Sequence, residues 1–299
     1  MNPVVPKHGI SGTRTIHWVD LKHKHVFLFS DNTHKYHECK DAFYVKRQTI
    51  EDYLYEISLQ KEADFYLEAS DRMDTFEKGS HMRRAYKKFN KPRVNGFHVH
   101  FVDERYSTST INEKVSKISE SVGSNFQLVF DMIENSDFEQ YKKLLDNEIK
   151  ILLHKYKFPH NEIVEEGLKV NFVDLIEYYN EHKVKLLKEN QRIQKKLELK
   201  LKVFIDNDSH LYFLIASMYM VLVDLTFVMI CLKSDRKIHL GYFGNMHVRN
   251  ILRIFNHFGF SNIAIQGDDN CIPVDSLNET LKLNFEGKRR KSKKHKINI

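Results

Sequence analysis

Glycine and proline are scarce in this chain, with 11 and 5 residues among 299. So few turn-forming residues argue against a loop-rich all-β fold and favour long helices. Cysteine is scarce as well: Cys39, Cys231 and Cys271 lie far apart, and none belongs to a CxxC pair. This spacing supports neither a zinc ribbon nor a disulfide framework, and it favours a reducing compartment.

Long apolar runs are rare, and the first 18 residues contain none. We therefore expect no secretory signal and an intracellular protein. The one long run, residues 211–232, carries a single charge, Asp224, near its middle. Its length fits either a membrane span or a helix that is buried on all sides. We favour the buried helix, because strands are predicted on both sides of this run and have to pair with each other.

The positive charge is concentrated near residue 290. The formal net charge is +7, and the segment from Lys288 to Lys296 is dense in Lys and Arg, with no acid after Glu286. Such a segment fits a solvated terminus, a nuclear-import signal or a non-specific contact to nucleic acid. A nucleic-acid contact through residues 288–296 would be strongly salt-dependent. The segment thus adds the nucleus to the expected locations.

Apolar runs of strand length alternate with segments of helical spacing. The predicted strands cover residues 15–21, 25–31, 63–69, 96–104, 237–244 and 262–268. Only three residues separate the first two runs, which predicts a hairpin. Apolar residues recur at helical spacing after the second run and in residues 248–260. Alternation of this kind predicts an α/β fold with a mostly parallel central sheet and flanking helices.

The predicted domain organisation is one α/β core with a helical insertion. The core comprises residues 1–110 and 237–275, and the insertion comprises residues 111–236 with its buried apolar helix at 211–232. Residues 276–299 form the basic tail. No internal repeat and no linker rich in proline or serine divides the chain, so one core is simpler than two independent domains.

Ionisable side chains follow the predicted strands where each strand ends. If these strands are parallel, the side chains meet at one edge of the sheet, where α/β proteins bind ligands. Histidine nitrogens and carboxylate oxygens suit a divalent metal such as zinc, manganese or iron, and a metal-bound water ionises near neutral pH. The alternative is ordinary loop polarity and helix capping. The residues concerned are Asp31, His34, His37, Glu68, Asp71, Asp103, Glu104, Arg105, His247, Asp268 and Asp269, with His98 and His100 inside their predicted strand.

Three short motifs add a resemblance to a known superfamily. A strand–helix turn reads Gly244-Asn245-Met246-His247, and a strand ending in Leu-Glu places Glu68 in "DFYLEA". Near the beginning of the chain, "SDNTH" matches a second such turn. His34 stands at the position of its histidine, but Asp31 replaces its first glycine. This pattern resembles the superfamily that contains the Tiki proteases, the TraB/PrgY proteins, erythromycin esterase and the ChaN haem-binding proteins.

The pattern is also similar to uncharacterised proteins of large DNA viruses. They share a D-x-R strand end, here Asp103 to Arg105, and a buried apolar helix with an aspartate, here Asp224. The resemblance implies an α/β fold with two pseudo-repeated halves and a central cleft. It implies metal-dependent peptide cleavage in Tiki-like members, hydrolysis aided by a histidine in esterase-like members, and binding without hydrolysis in ChaN-like members. A viral protein would lie in the host cytoplasm or the virion.

Two hypotheses follow for function. In the first, the protein is a metal-dependent hydrolase of a peptide or ester bond in a peptide or small-molecule substrate. His34, Glu68 and His247 then act as metal ligands or as acid/base groups. Asp31 is either a further ligand or the group that orients His34.

Arg105 in this hypothesis holds the substrate or the developing oxyanion, and Asp103 orients Arg105. Asp224 needs an Arg or His of the site as partner, because a lone buried carboxylate is costly. In the second hypothesis the protein is a virus-encoded structural or interaction protein on the same fold, and its basic tail contacts nucleic acid. Beside both hypotheses stands a structural alternative for each residue: His34 and His247 as helix caps, Glu68 in a structural salt bridge with Arg105, and Asp224 as a buried hydrogen-bond acceptor for helix ends.

Overall fold

The fold is mixed α/β. The computed structural model describes residues 8–31, 39, 44–69, 79–90, 96–103, 131–136, 141–199, 209–267 and 271–283. The strands are β1 (His8–Ser11), β2 (Thr15–Asp20), β3 (His25–Asp31), β4 (Lys46–Thr49), β5 (Ala63–Leu67), β6 (Phe97–Phe101), β7 (Ile238–Gly244), β8 (Asn262–Gln266) and β9 (Ile272–Pro273). The helices are α1 (Ile50–Gln60), α2 (His81–Phe89), α3 (Tyr141–Tyr156), α4 (Glu162–Glu198), α5 (His210–Met218), α6 (Met220–Lys233), α7 (Asn245–His257) and α8 (Asp275–Thr280).

The main sheet has six strands in the order β6-β5-β7-β3-β2-β8. Strands β6, β5, β7 and β3 run parallel to one another. Strand β2 pairs antiparallel with β3, which confirms the predicted hairpin, and β8 pairs antiparallel with β2. The sheet is therefore mixed. A smaller sheet has the order β4-β1-β9.

Helices cover both faces of the main sheet. Strand side chains alternate between the two faces, and both faces carry apolar side chains that the helices bury. Phe29, Phe65 and Tyr242 pack with α1 and α2 on one face. Leu28 and Phe243 pack with α6 and α7 on the other face. Burying each such side chain contributes about 1.5–3 kcal/mol. The ends of the parallel strands are thus fixed within a packed core.

Helices α3 to α6 share a further apolar cluster. Helix α4, with 37 residues, is tied to α7 by Asp174, whose carboxylate oxygens accept hydrogen bonds from Arg249 at 2.9 Å and from Arg253 at 2.6 Å. Gly167 of α4 lets α6 approach closely, since a Cβ there would lie 2.7 Å from Leu225. These contacts hold α6 and α7 against the same long helix.

The apolar run predicted as one helix over 211–232 is two helices, α5 and α6, that meet at Tyr219. Together, His210–Lys233 form a stretch that is long and apolar enough to cross a membrane, and 72% of its most apolar window is buried inside the protein. Burial of this kind is typical of a core helix. The preference for a buried helix over a membrane span stays a prediction.

A disulfide joins Cys39 to Cys271, while Cys231 is free and buried. The sequence-based expectation of no disulfide is therefore wrong for this pair. Spacing failed as a guide because the two cysteines are 232 residues apart in sequence, and only the fold brings their Cα atoms to 5.1 Å. The bond links the segment between β3 and β4 to the residue just before β9.

Candidate active site

Three neighbouring parallel strands end together at what we call the carboxyl edge, defined by Asp31, Glu68 and Gly244. Asp31 is the last residue of β3 and lies opposite Gly244, the last residue of β7. Glu68 follows β5, and its N–H donates to the carbonyl of Tyr242 in β7 at 3.2 Å. The polar ends of β3, β5 and β7 thus lie at one edge of the sheet, as expected for parallel strands.

The carboxylate of Glu68 caps the N-terminus of helix α7. Gly244 is the N-cap residue of α7 and has no side chain, and Glu68 Oε2 accepts its N–H at 2.6 Å. A negative charge is favourable at this position because a helix N-terminus carries unsatisfied N–H groups and a partial positive charge. The side chain of Glu68 keeps 13% of its surface exposed to solvent.

His247, in the first turn of α7, lies between two carboxylates. Its Nε2 is 3.1 Å from Glu68 Oε1, and its Nδ1 is 2.6 Å from Asp224 Oδ1 of α6. A ring with a carboxylate at each nitrogen donates from both, which makes it an imidazolium. Burial by itself would lower the pKa of His247, but the charges of Glu68 and Asp224 raise it to about 10. His247 is the partner that Asp224 was expected to need.

Asp224 is fully buried, and its second oxygen is also satisfied. Asn250 Nδ2 donates to Asp224 Oδ2 at 3.2 Å, while His247 donates to Oδ1. Burial raises the pKa of the Asp224 carboxyl. Because both oxygens accept hydrogen bonds, the ionised carboxylate is the form that satisfies its neighbours. The arrangement is a cation between two anions inside an apolar core.

Asp31 is buried on the other side of β7. The hydroxyl of Tyr242 lies 3.0 Å from Asp31 Oδ2 and 2.8 Å from the carbonyl of Gly12. Burial and the charge of Asp31 hold the pKa of Tyr242 well above its usual value, so Tyr242 is a neutral donor. Ser30 Oγ donates to Asn245 Oδ1 at 3.0 Å and ties β3 to the first turn of α7.

A second imidazole–carboxylate pair lies next to Gly12 and was missed from the sequence. His81, the first residue of α2, has Nδ1 2.8 Å from Glu51 Oε2 of α1, and both side chains are buried. Gly12 has φ +92°, and a Cβ on it would lie 2.6 Å from the His81 ring. The only local signal was the Ser80–His81 helix start; nothing local connected it to Glu51.

The other residues with a predicted role in the site are Asp103, His34 and Arg105. Asp103 is buried beside the end of β5, where its N–H donates to the carbonyl of Ala69 at 3.1 Å. His34 and Arg105 lie outside the described residues, as do the contacts predicted for them. The structure therefore joins Glu68 directly to His247. It places Asp31 at the end of β3 and Asp103 after β6, two parallel strands that are separated by β5 and β7.

The described side chains do not fit a metal ion that uses His247 as a ligand. Such a ligand needs a ring nitrogen with a free lone pair, and both nitrogens of His247 face carboxylates. Within the described ranges, no group of three or more His, Cys, Asp or Glu side chains is arranged to hold a metal ion. The zinc, manganese or iron site that includes His34 stays a prediction.

A second polar cluster lies at the opposite, amino-terminal edge of the sheet and lines a cavity of about 830 Å³. Its centre is Asp64 of β5, which accepts hydrogen bonds from Ser234 and, at 3.1 Å, from His100 Nε2. Arg236 lies 3.5 Å from the same carboxylate. Although burial opposes it, these donors and nearby histidines lower the pKa of Asp64. The carboxylate of Asp64 thus has a cationic partner, Arg236, within the cluster.

Beside this cluster, His239 makes folding stability depend on pH. Its Nδ1 is 2.9 Å from the Tyr66 hydroxyl and its Nε2 is 2.9 Å from the Arg236 carbonyl, which fits a neutral ring. Burial lowers its pKa from 6.5 to about 4. Between these values the unfolded chain binds the extra proton, so stability is full above about pH 6.5 and is lost as the pH falls toward 4.

We expect the His239→Gln variant to lose less stability than the wild type when the pH falls from 7 to 4.5. The difference is up to about 3 kcal/mol, the value of about two pKa units. Urea unfolding at both pH values measures it. His8, whose pKa burial also lowers to about 4, leaves a residual dependence in both proteins. Equal losses in the two proteins would contradict the role of His239.

Comparison of the chain with protein-family models, curated proteins and solved structures gives no match.

Proposed function

We propose that this protein is a hydrolase of a peptide or ester bond, with its active site at the carboxyl edge. The observation that carries the proposal is the contact of Glu68 with both His247 and the N-terminus of α7. A partly exposed carboxylate, a buried cation and the N-terminus of a helix at one strand end provide the groups that hydrolysis uses. The resemblance to the Tiki, TraB and erythromycin esterase superfamily supports the same class of reaction.

Each group has a role in this proposal. Glu68 accepts a proton from the attacking water, since a carboxylate has lone pairs beyond those used by Gly244 and His247. It returns this proton to the leaving alcohol or amine as the ester or peptide C–O or C–N bond breaks. His247, as an imidazolium, and the N-terminus of α7 offset the negative charge that develops on the substrate oxygen. Arg105 holds the substrate and Asp103 orients it. Asp31 orients His34.

A metal ion has no step in this mechanism. Both ring nitrogens of His247 are occupied by carboxylates, so the hydrolysis aided by a histidine that esterase-like members imply fits the described residues better than the metal-dependent cleavage of Tiki-like members. Metal content and chelation therefore belong in the test of the function.

The Glu68→Gln variant tests the proposal, because it keeps the size of the side chain and removes its charge. On a panel of chromogenic esters and fluorogenic peptides, we expect kcat/KM to fall at least about 100-fold, the scale of one general base. Glu177→Gln, an exposed change on α4, is the matched control and is expected to keep full activity.

Chelation with EDTA is expected to leave the activity unchanged, and the purified protein to contain no stoichiometric metal. Activity that is lost on chelation and restored by zinc, manganese or iron would return the metal to the mechanism. Equal activity of the wild type and Glu68→Gln would overturn the proposal that the reaction takes place at the carboxyl edge.

A second candidate is an interaction protein on the same fold. The long helix α4 favours it, since Val184 in this helix is 66% exposed, and Leu199, directly after the helix ends, is 61% exposed. In this function, the helices of residues 111–236 are an insertion into a mostly parallel α/β core and contribute a binding surface. Residues 288–296 contact nucleic acid, and that contact weakens as the salt concentration rises.

A further inference from the structure

Helix α6 carries one charged residue in its buried middle. Asp224 is 1% exposed, and its neighbours Val223 and Leu225 are completely buried. An unpaired carboxylate in such surroundings is strongly destabilising. A well-packed apolar residue of similar size often gives equal or greater stability than a buried ion pair. Stability alone therefore does not explain an aspartate here.

The two contacts of Asp224 both go to helix α7, to residues one turn apart. His247 Nδ1 is 2.6 Å from Oδ1, and Asn250 Nδ2 is 3.2 Å from Oδ2. Residues at positions i and i+3 lie on the same face of a helix, so one carboxylate reaches both. With Nδ1 held on α6, the imidazole plane is fixed and Nε2 faces Glu68 at 3.1 Å.

We propose that Asp224 is a positioning residue of the active site, which holds the His247 ring so that its Nε2–H stays on Glu68. The inference rests on the proposed hydrolase function and adds a third member to the pair of Glu68 and His247. It also gives α6 a part in the site, although α6 contributes no strand end to the carboxyl edge.

The orientation of the ring can be measured without any substrate. In protein labelled with ¹⁵N-histidine, we expect His247 of the wild type to show two ring N–H protons, both shifted downfield and protected from solvent exchange. The loss of both signals in His247→Gln assigns them. A wild-type protein in which His247 shows no such pair of protons would overturn the proposal, whatever its activity.

Asp224→Asn keeps the shape of the side chain and removes its charge. We expect the Nδ1–H signal to leave its downfield position and the Nε2–H signal to change with it. On a substrate of the wild type, kcat should fall at least about 100-fold, as it does when a histidine loses its orienting carboxylate, while KM changes less than twofold. Near-ultraviolet circular dichroism checks that this variant is folded.

Asp174→Asn is the matched control. It removes a carboxylate that also holds α7 to another helix, but it contacts Arg249 and Arg253 rather than His247. We expect both ring N–H signals and kcat to stay as in the wild type. A folded Asp224→Asn with wild-type kcat overturns the positioning role and leaves the hydrolase standing. Absence of any Glu68-dependent hydrolysis overturns the function itself.

Discussion

Replacing Gly12 with alanine is expected to lower the free energy of unfolding by about 2–5 kcal/mol. Gly12 has φ +92°, a conformation that costs an L-residue about 1–2 kcal/mol. A Cβ would also lie 2.6 Å from both the His81 ring and Ile50, and overpacking of a buried site costs about 1–3 kcal/mol more. Urea unfolding at pH 7 measures the loss.

Gly259→Ala is the control for backbone strain alone. Its φ is +80°, but among the residues that the structure describes, apart from its chain neighbours, no atom lies within 4 Å of the added Cβ. We expect a loss of about 1–2 kcal/mol there, because only the conformational cost remains. Equal losses at the two glycines would show that the contact of Gly12 with His81 has no energetic weight.

Breaking the buried pair of His247 and Asp224 is the second large effect that we expect. His247→Leu alone should cost about 3–5 kcal/mol, because it leaves the buried carboxylate of Asp224 without its cation. Asp224→Leu should cost less, because His247 keeps Glu68 at 3.1 Å. In His247→Leu the remaining charges are the carboxylates of Asp224 and Glu68, which approached the same ring at 2.6 and 3.1 Å.

The double variant, with leucine at both positions, should lose clearly less than the sum of the two single losses. It removes one cation and one anion together and replaces them with apolar groups. The double-mutant cycle from urea unfolding gives the coupling free energy, which should be at least about 1 kcal/mol for residues in contact. Additive losses would mean that His247 and Asp224 are not energetically coupled.

Local patterns predicted much of the main sheet but not its full topology. Runs of β-branched and aromatic residues located β2, β3, β5, β6, β7 and β8, and the short connection between β2 and β3 identified the hairpin. Strands β1 and β4 were missed, because "HGIS" and "KRQT" have neither the length nor the apolar alternation that marks a strand. The antiparallel pairing of β8 depends on which edge is open, which no local pattern encodes.

For the candidate site, strand ends were a better guide than residue chemistry. Glu68 and His247 were identified because each follows a strand of the parallel part of the sheet, and such ends meet at one edge. Tyr242 looked like an ordinary strand residue, although its hydroxyl contacts Asp31. The link between His81 and Glu51 spans 30 residues and two helices, so only tertiary packing makes it visible.

Strand β7 lies between β5 and β3, although it comes after both in the chain. Strands β5 and β3 do not pair with each other, so β7 joins the part of the main sheet made by β6 and β5 to the part made by β3, β2 and β8. During synthesis, the first two hundred or so residues therefore cannot close the centre of this sheet, and the closing contacts span long sequence separations, which slow folding. The ribosome has to release residues 238–244 before the centre assembles, and His247 follows within the next few residues. The edge that we assign to chemistry is thus among the last parts of the protein to take shape.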